Sequence, residues 1–368
     1  MSRVRIAVIG AGMIAQIEHI PNLLRLKDKF EVVAVSDPSP ASRDFVARTF
    51  GVPAVATLDL LYAKPLDAVL IASPDALHHG QVLEALARGL HVFCEKPLCY
   101  SPAEIDQIVA ARDAAGKVVQ VGYMKRFDPH YEAAIAAMPG TARTLRYVSV
   151  EVNDPDAWPF VRHHAYRREA DVPPALIEEA KRLQCEQVAR AVPLPLDAVG
   201  FRGFTSAYCS SLVHDVNAVH GLLDALGVPD GDIVGADLFA GGDGGQGAVR
   251  LLGGQVLWNM VHLTVPALAD YRETISLYFD DAILSLVFPS PYLNHQATRL
   301  IVRTSDGNVL RTTEINAGYD EAYVRELVGF WQAIVEGAPV RNSAEHARRD
   351  MALLCGLATA YGNRRNKP

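Results

Sequence analysis

The sequence predicts an α/β unit followed by an α+β unit: a doubly wound parallel sheet, then a domain around a mostly antiparallel sheet. Three observations carry this prediction. Residues 5–121 alternate short Val/Ile/Leu runs with helix-length segments. A glycine-rich turn, Gly10-Ala11-Gly12-Met13-Ile14-Ala15, joins the first strand to the first helix. After about Met124 the apolar runs lengthen and take on period-two character. Continuous apolar runs mark strands buried on both faces of a parallel sheet, and strands alternating with helices give the doubly wound arrangement. The division falls at residues 1–124 and 125–368.

Each element follows in order. Arg5–Ile9 reads as the first strand and Met13 to about Leu26 as a helix. Glu31–Ser36 is a second strand and Pro40–Phe50 a second helix, followed by a weaker strand at Val52–Ala56. Asp67–Ala72 is a strong strand, Leu77–Arg88 a helix and His91–Cys94 a strand. The next helix spans Ser101–Gly116, with a serine cap, proline at its first position and a closing glycine. Val118–Val121 ends the parallel set. In the second half, Leu145–Val152, Ile233–Ala240, Gly247–Leu263, Glu273–Val287 and Ala297–Arg311 read as longer strands. Hairpin turns are expected at 241–245 and 305–307. Two helices, about Asp320–Glu336 and Ser343–Tyr361, close the chain.

Composition excludes several function classes. The 368 residues are 50% hydrophobic, enough for two cores, and the net charge is −7 without a basic tail. Nucleic acid is therefore not an expected partner. No apolar run approaches the roughly 20 residues of a membrane helix, and the short run at Ile6–Ile9 breaks at glycine as a buried first strand does. Five cysteines without Cys-x-x-Cys spacing point to a reduced, cytoplasmic protein without structural zinc.

The turn at Gly10 matches G-x-G-x-x-A between a strand and a helix. Gly10 makes the tight turn, Gly12 lets backbone approach a pyrophosphate, and Ala15 permits close helix–sheet packing. The helix start at Met13 and Ile14 offers free N–H groups and a partial positive charge. Asp37, ending the second strand, is placed to accept from both adenine-ribose hydroxyls and to repel a 2′-phosphate, which favours NAD(H) over NADP(H). Ser73 and Pro74 leave the fourth strand near the nicotinamide ribose. His78, one turn into the next helix, is a structural hydrogen-bonder or a cofactor contact.

Glu95-Lys96-Pro97 follows the fifth strand, so Lys96 stands at the carboxyl edge of the sheet, where open α/β sheets bind ligands. An ammonium there can handle a proton, and Pro97 restricts the backbone of Lys96. Glu95 is placed to pair with a cation or with the cofactor ribose. A second constellation lies on a helix at Ser210–Leu223. Ser210, His214, Asn217 and Gly221 share one face by spacing, opposite Leu212, Val216, Val219 and Leu223. Residues 154–200 form a long Pro-, Arg- and His-rich excursion with one helix, Pro174–Val192. It is expected as a lid over the substrate site or an oligomer arm. His163, Tyr166, Arg167 and Arg168 are its candidate substrate contacts. The pair His163-His164 lacks further ligand spacing, so no metal is expected.

Together these segments resemble the Gfo/Idh/MocA family of dehydrogenases. The resemblance rests on the Gly10–Ala15 turn, Ser73-Pro74-Asp75-Ala76-Leu77-His78, Glu95-Lys96-Pro97, Val121-Gly122-Tyr123-Met124-Lys125-Arg126-Phe127-Asp128-Pro129 and His214-Asp215-Val216-Asn217. It implies a Rossmann domain followed by an open-faced mixed sheet that forms dimers or tetramers. It also implies a sugar-, inositol- or polyol-type substrate. By the same resemblance Lys96 is the catalytic lysine, His214 the catalytic histidine and Arg126 an arginine near the site. Two positions depart from the family pattern. Ser210 stands where many members carry an aspartate one turn before the histidine, and Asn217 replaces a common aspartate three residues after it. Serine can bond a substrate hydroxyl but cannot take its proton at neutral pH. Alongside an alcohol–ketone oxidoreductase, the sequence leaves open an NAD-retaining glycoside-cleaving enzyme and a non-catalytic NAD- or metabolite-binding protein.

Overall fold

The computed structural model describes residues 3–138, 145–167 and 171–365; Arg168 lies outside them. The chain forms two compact units. The N-terminal unit comprises Met1–Met124, Val161–Ala191 and Tyr323–Arg349. The C-terminal unit comprises Lys125–Phe160, Val192–Ala322 and Asp350–Pro368. The change at 124 is therefore one of several. Residues 161–191 and 323–349 pack with the N-terminal unit, which corrects the single expected division. Much of the excursion is accordingly part of the unit that carries the glycine turn, not of the unit expected to bind substrate.

In the N-terminal unit six strands lie in the order β3-β2-β1-β4-β5-β6. They are β1 Val4–Ile9, β2 Phe30–Ser36, β3 Ala54–Val55, β4 Ala68–Ile71, β5 His91–Glu95 and β6 Val119–Gly122. Every pairing is parallel. The order reverses beside β1, so the carboxyl ends of β1 and β4 flank the crevice where such sheets take ligands. The helix after β1 is irregular, with a π-helical turn at Ala15–His19 before Ile20–Arg25. Pro21 explains this, because proline inside a helix removes an i→i−4 bond. Ser101 caps Pro102–Ala115 by accepting from the Glu104 N–H, and Gly116 ends that helix in the left-handed region. The helix Ala322–Val335 contributes Leu327, Phe330 and Trp331 to the core under β1 and β2.

The C-terminal unit holds an eight-stranded sheet in the order β14-β13-β12-β11-β7-β10-β9-β8. Its strands are β7 Leu145–Asn153, β8 Asp232–Phe239, β9 Gly244–Leu251, β10 Val256–Leu263, β11 Arg272–Phe279, β12 Ala282–Phe288, β13 Arg299–Asp306 and β14 Val309–Ile315. Only β7 with β10 pairs in parallel among them. Two of the long predicted strands, 247–263 and 273–287, are each two strands, and the third, 297–311, turns where its hairpin is expected. The run at 247–263 turns at Gly253 and Gly254, both at positive φ, the run at 273–287 turns at Asp280-Asp281, and the run at 297–311 turns at Gly307. Along β7 and β10 one face buries Val148, Val150, Trp258 and Met260. The opposite face leaves Tyr147, Leu257, Val261, Tyr278, Ile283 and Val287 half-exposed.

Candidate functional site

At the carboxyl edge of β1 the glycine turn is built as its sequence requires. Gly10 has φ +92°, and a Cβ there would stand 2.5 Å from the Ala72 carbonyl oxygen. Only glycine therefore fits between β1 and β4. Gly12 is exposed, and a Cβ on it would meet nothing within 4 Å, so its backbone faces open space. Met13 and Ile14 open the helix behind it, half-buried, and Ala15 is fully buried. Asp37 is 9% exposed. Its Oδ2 accepts from the Ala11 N–H at 2.8 Å and its Oδ1 from the Ser39 N–H at 2.8 Å. The carboxylate thus ties the end of β2 to the turn, and each oxygen keeps a lone pair for a hydroxyl donor. An open glycine backbone, a helix N-terminus and an acceptor pair at β2 together fit the pyrophosphate and ribose of a dinucleotide.

The next edge positions Lys96. Glu95 is buried, and its Oε1 lies 2.6 Å from His19 Nε2. Its Oε2 accepts from the Lys96 backbone N–H at 3.1 Å. Gly122 on β6 makes room for this carboxylate, since a Cβ there would lie 3.1 Å from Glu95 Oε1. Burial alone would raise the Glu95 pKa, but the His19 hydrogen bond and the His19 and Lys96 charges hold it below the usual value. Lys96 is half-buried, and the Lys96–Pro97 peptide is cis.

His78 is fully buried. Its Nδ1 is 2.8 Å from the Pro97 carbonyl and its Nε2 2.9 Å from the Ser73 carbonyl. It therefore clamps the loop after β5 to the loop after β4, the part of a structural hydrogen-bonder. Ser73 donates its hydroxyl to Gln81 at 2.6 Å, and Pro74 precedes the helix Asp75–Ala87.

In the C-terminal unit the helix bearing His214 is not regular. A π-helical stretch at Gly203–Leu212 precedes Val213–Ala225. The wider turn takes Ser210 out of phase with His214, Asn217 and Gly221, which keep helical spacing within Val213–Ala225. Ser210 is exposed, His214 half-buried, and Asn217 and Gly221 buried. Asn217 Nδ2 donates to Asp350 Oδ2 at 2.8 Å, and His220 Nδ1 lies 2.6 Å from Asp350 Oδ1. Asn217 thus ties this helix to the last helix through its Nδ2. Arg126 leaves the turn Met124–Phe127 half-buried and packs on the same helix. A Cβ on Gly221 would stand 2.3 Å from Tyr131 Oη and 2.7 Å from Arg126 Nε.

Beneath the strand β11 lies a group the sequence reading did not single out. Lys125, Asp215 and Glu273 are all buried, with Lys125 paired to Glu273 and 4.0 Å from Asp215. Tyr271 Oη donates to Glu273 Oε2 at 2.7 Å. Burial and the Glu273 charge push the Asp215 pKa well up. Glu273 is instead held below its usual value: burial opposes this, and Lys125 outweighs it. One cation thus faces two buried acids, and their surroundings favour ionisation of Glu273 over that of Asp215. His19, Gln16 and Asp350 were also missed. Each sits on a helix at a spacing that marks it only as buried, and His19 and Asp350 meet partners far away in sequence.

Comparison with known proteins bears on the N-terminal unit first. Residues 4–123 match the Gfo/Idh/MocA oxidoreductase family, which has an NAD-binding Rossmann fold. An inositol 2-dehydrogenase from Saccharopolyspora erythraea is 41% identical over 130 residues, which are 35% of this chain and 38% of the relative. The chain therefore spans about two fifths of the length of that curated relative. Likeness across the whole chain is structural. A UDP-N-acetylglucosamine 3-dehydrogenase from Acidithiobacillus ferrooxidans superposes with a TM-score of 0.71 at 20% identity, covering 99% of both chains. A 3-ketoreductase from Actinomadura kijaniata in complex with NADP does so with a TM-score of 0.70 at 18% identity, covering 98% of both. At that identity the likeness shows that the chain shares the fold of these proteins.

Proposed function

We propose that the chain is an NAD(H)-dependent oxidoreductase that interconverts a secondary alcohol and a ketone on a sugar, inositol or related polyol. The observation that carries this reading is Lys96. Its backbone is held from one side by buried Glu95 and from the other by the His78 clamp on Pro97, at the same sheet edge as the open Gly12 turn. Bound NAD supplies the hydride acceptor. Lys96 hydrogen-bonds the reacting oxygen and stabilises developing alkoxide. His214 takes the hydroxyl proton in oxidation and returns it in reduction. Exposed Ser210 is able to bond a substrate hydroxyl but not to deprotonate it, which leaves proton transfer to Lys96 and His214. Asp37 favours NAD(H), because a 2′-phosphate beside it meets like charge.

A panel of polyols, sugars and keto-sugars with NAD(H) and NADP(H), followed at the nicotinamide absorbance, tests the reading. Turnover of at least one hydroxyl–ketone pair with NAD(H) is expected. Cofactor binding without net turnover of any substrate would refute it. The half-exposed apolar face of the large sheet suits a homodimer or homotetramer, since contiguous apolar patches mark interaction surfaces. Light scattering on the eluting protein is expected to give a multiple of 39.9 kDa; a monomer mass would refute that assembly.

A further inference from the structure

The excursion returns to the cofactor turn at two places. On one side the Arg167 N–H donates to Gln16 Oε1 at 2.8 Å, and Gln16 Nε2 donates to the Ala11 carbonyl at 2.7 Å. On the other side Asp171 Oδ1 accepts from the Ser39 hydroxyl at 2.6 Å and from the Ala41 N–H at 3.0 Å. The Asp171 N–H in turn donates to Ser39 Oγ at 3.3 Å. Ser39 also donates its backbone N–H to Asp37, whose other oxygen holds the Ala11 N–H. Two carboxylates from distant parts of the chain therefore meet at one serine, where β2 passes into the helix Pro40–Phe50.

Their placement has a chemical consequence. The first N–H groups of a helix and a neighbouring hydroxyl are what a phosphate seeks. Here Ala41 N–H and Ser39 Oγ–H are already given to Asp171. Arg43, the cation on this turn, directs Nη1 to the Asp37 and Pro38 carbonyls at 2.7 and 2.9 Å. The donors that would hold a 2′-phosphate are engaged, and two carboxylates, Asp37 and Asp171, stand beside them while the Arg43 guanidinium is turned to backbone carbonyls. Selectivity of this kind comes as much from repelling the wrong ligand as from holding the right one.

We propose that Asp171 is a second coenzyme-selecting carboxylate, which acts with Asp37 to exclude dinucleotides phosphorylated on the adenine ribose. The proposal rests on the reading of the glycine turn as a dinucleotide site. It assigns a role in coenzyme choice to the excursion, in addition to any role it has toward substrate.

Titration of the full-length protein with NADH and with NADPH, read by nicotinamide fluorescence, tests it without turnover. The D171N variant keeps an oxygen for Ser39 and Ala41 but removes the charge; D171A removes both. In each variant the NADPH-to-NADH ratio of Kd is expected to fall about tenfold, through tighter NADPH binding, the size expected for one charge facing a dianion near the surface. A ratio unchanged within about threefold in D171N overturns the proposal, even if D171A changes it, because the effect would then be positional and not electrostatic. Wild-type protein that prefers NADPH also overturns it. Wild-type protein that binds neither dinucleotide overturns the reading of the turn, and the proposal falls with it.

Discussion

Replacing Lys96 with alanine is expected to lower turnover by about 10²–10⁴-fold, the usual contribution of a positioned acid–base group, while cofactor binding is retained. The reason lies in how the lysine is held. Its N–H is fixed on Glu95, Glu95 on His19, and the following Pro97 carbonyl on His78. These contacts run through the Lys96 backbone N–H, Glu95 and the Pro97 carbonyl, so truncating the side chain leaves them in place. Lys96→Arg is the sharper comparison. It keeps the positive charge but cannot give up a proton. If proton handling is the role, K96R falls almost as far as K96A; if charge alone is, K96R recovers much of the loss. Steady-state kinetics with a substrate from the panel, beside an NADH titration of each variant, separates the two. Normal turnover in K96A would sink the central role given to this residue.

The N-terminal sheet was legible because its signals are local. A strand buried on both faces is a run of Val, Ile and Leu, and a turn that needs positive φ is a glycine, as at Gly10. Ser101, Pro102 and Gly116 bound a helix wherever the helix packs. The second half was legible in kind but not in count. The runs at 247–263 and 273–287 read as single strands because Gly253-Gly254 and Asp280-Asp281 interrupt them without proline or a long polar segment. At the site, the residues that face a ligand carried motifs, and those that hold them did not. His19 and Glu95 are 76 residues apart, and Asp37 and Asp171 meet only through Ser39. The expected stripe fails at Ser210 for a geometric reason. Spacing at 3.6 residues per turn does not hold across the π-helical stretch before Val213, which separates Ser210 from His214, Asn217 and Gly221.

Removing the charge of Lys125 is expected to damage the C-terminal unit more than any surface change. Lys125→Met is close in shape and keeps the contact with the Phe288 ring, whose centroid lies 5.5 Å from Nζ. It leaves Glu273 buried with the Tyr271 hydroxyl and the Asp215 carboxyl beside it in place of the Lys125 cation. Breaking a buried pair from one side typically costs about 3–5 kcal/mol, because the remaining charge is uncompensated. The loss should depend on pH in a definite direction. In the intact cluster the two acids oppose each other. Glu273, held below its usual pKa, adds stability above its unfolded value, and this is lost as pH falls through its folded value. Asp215, held above its own, loses stability as pH rises from its unfolded value toward its folded one. Without Lys125 the Glu273 pKa rises as well, so the native state keeps a proton that the unfolded chain releases. The deficit of K125M should therefore grow from pH 5 to pH 8. Adding Glu273→Gln removes the orphaned charge and should recover part of the loss, a coupling that a double-mutant cycle measures directly. Denaturant melts at both pH values check this. A K125M protein within about 1 kcal/mol of wild type at pH 8 would show that the buried pair contributes no more than an exposed one.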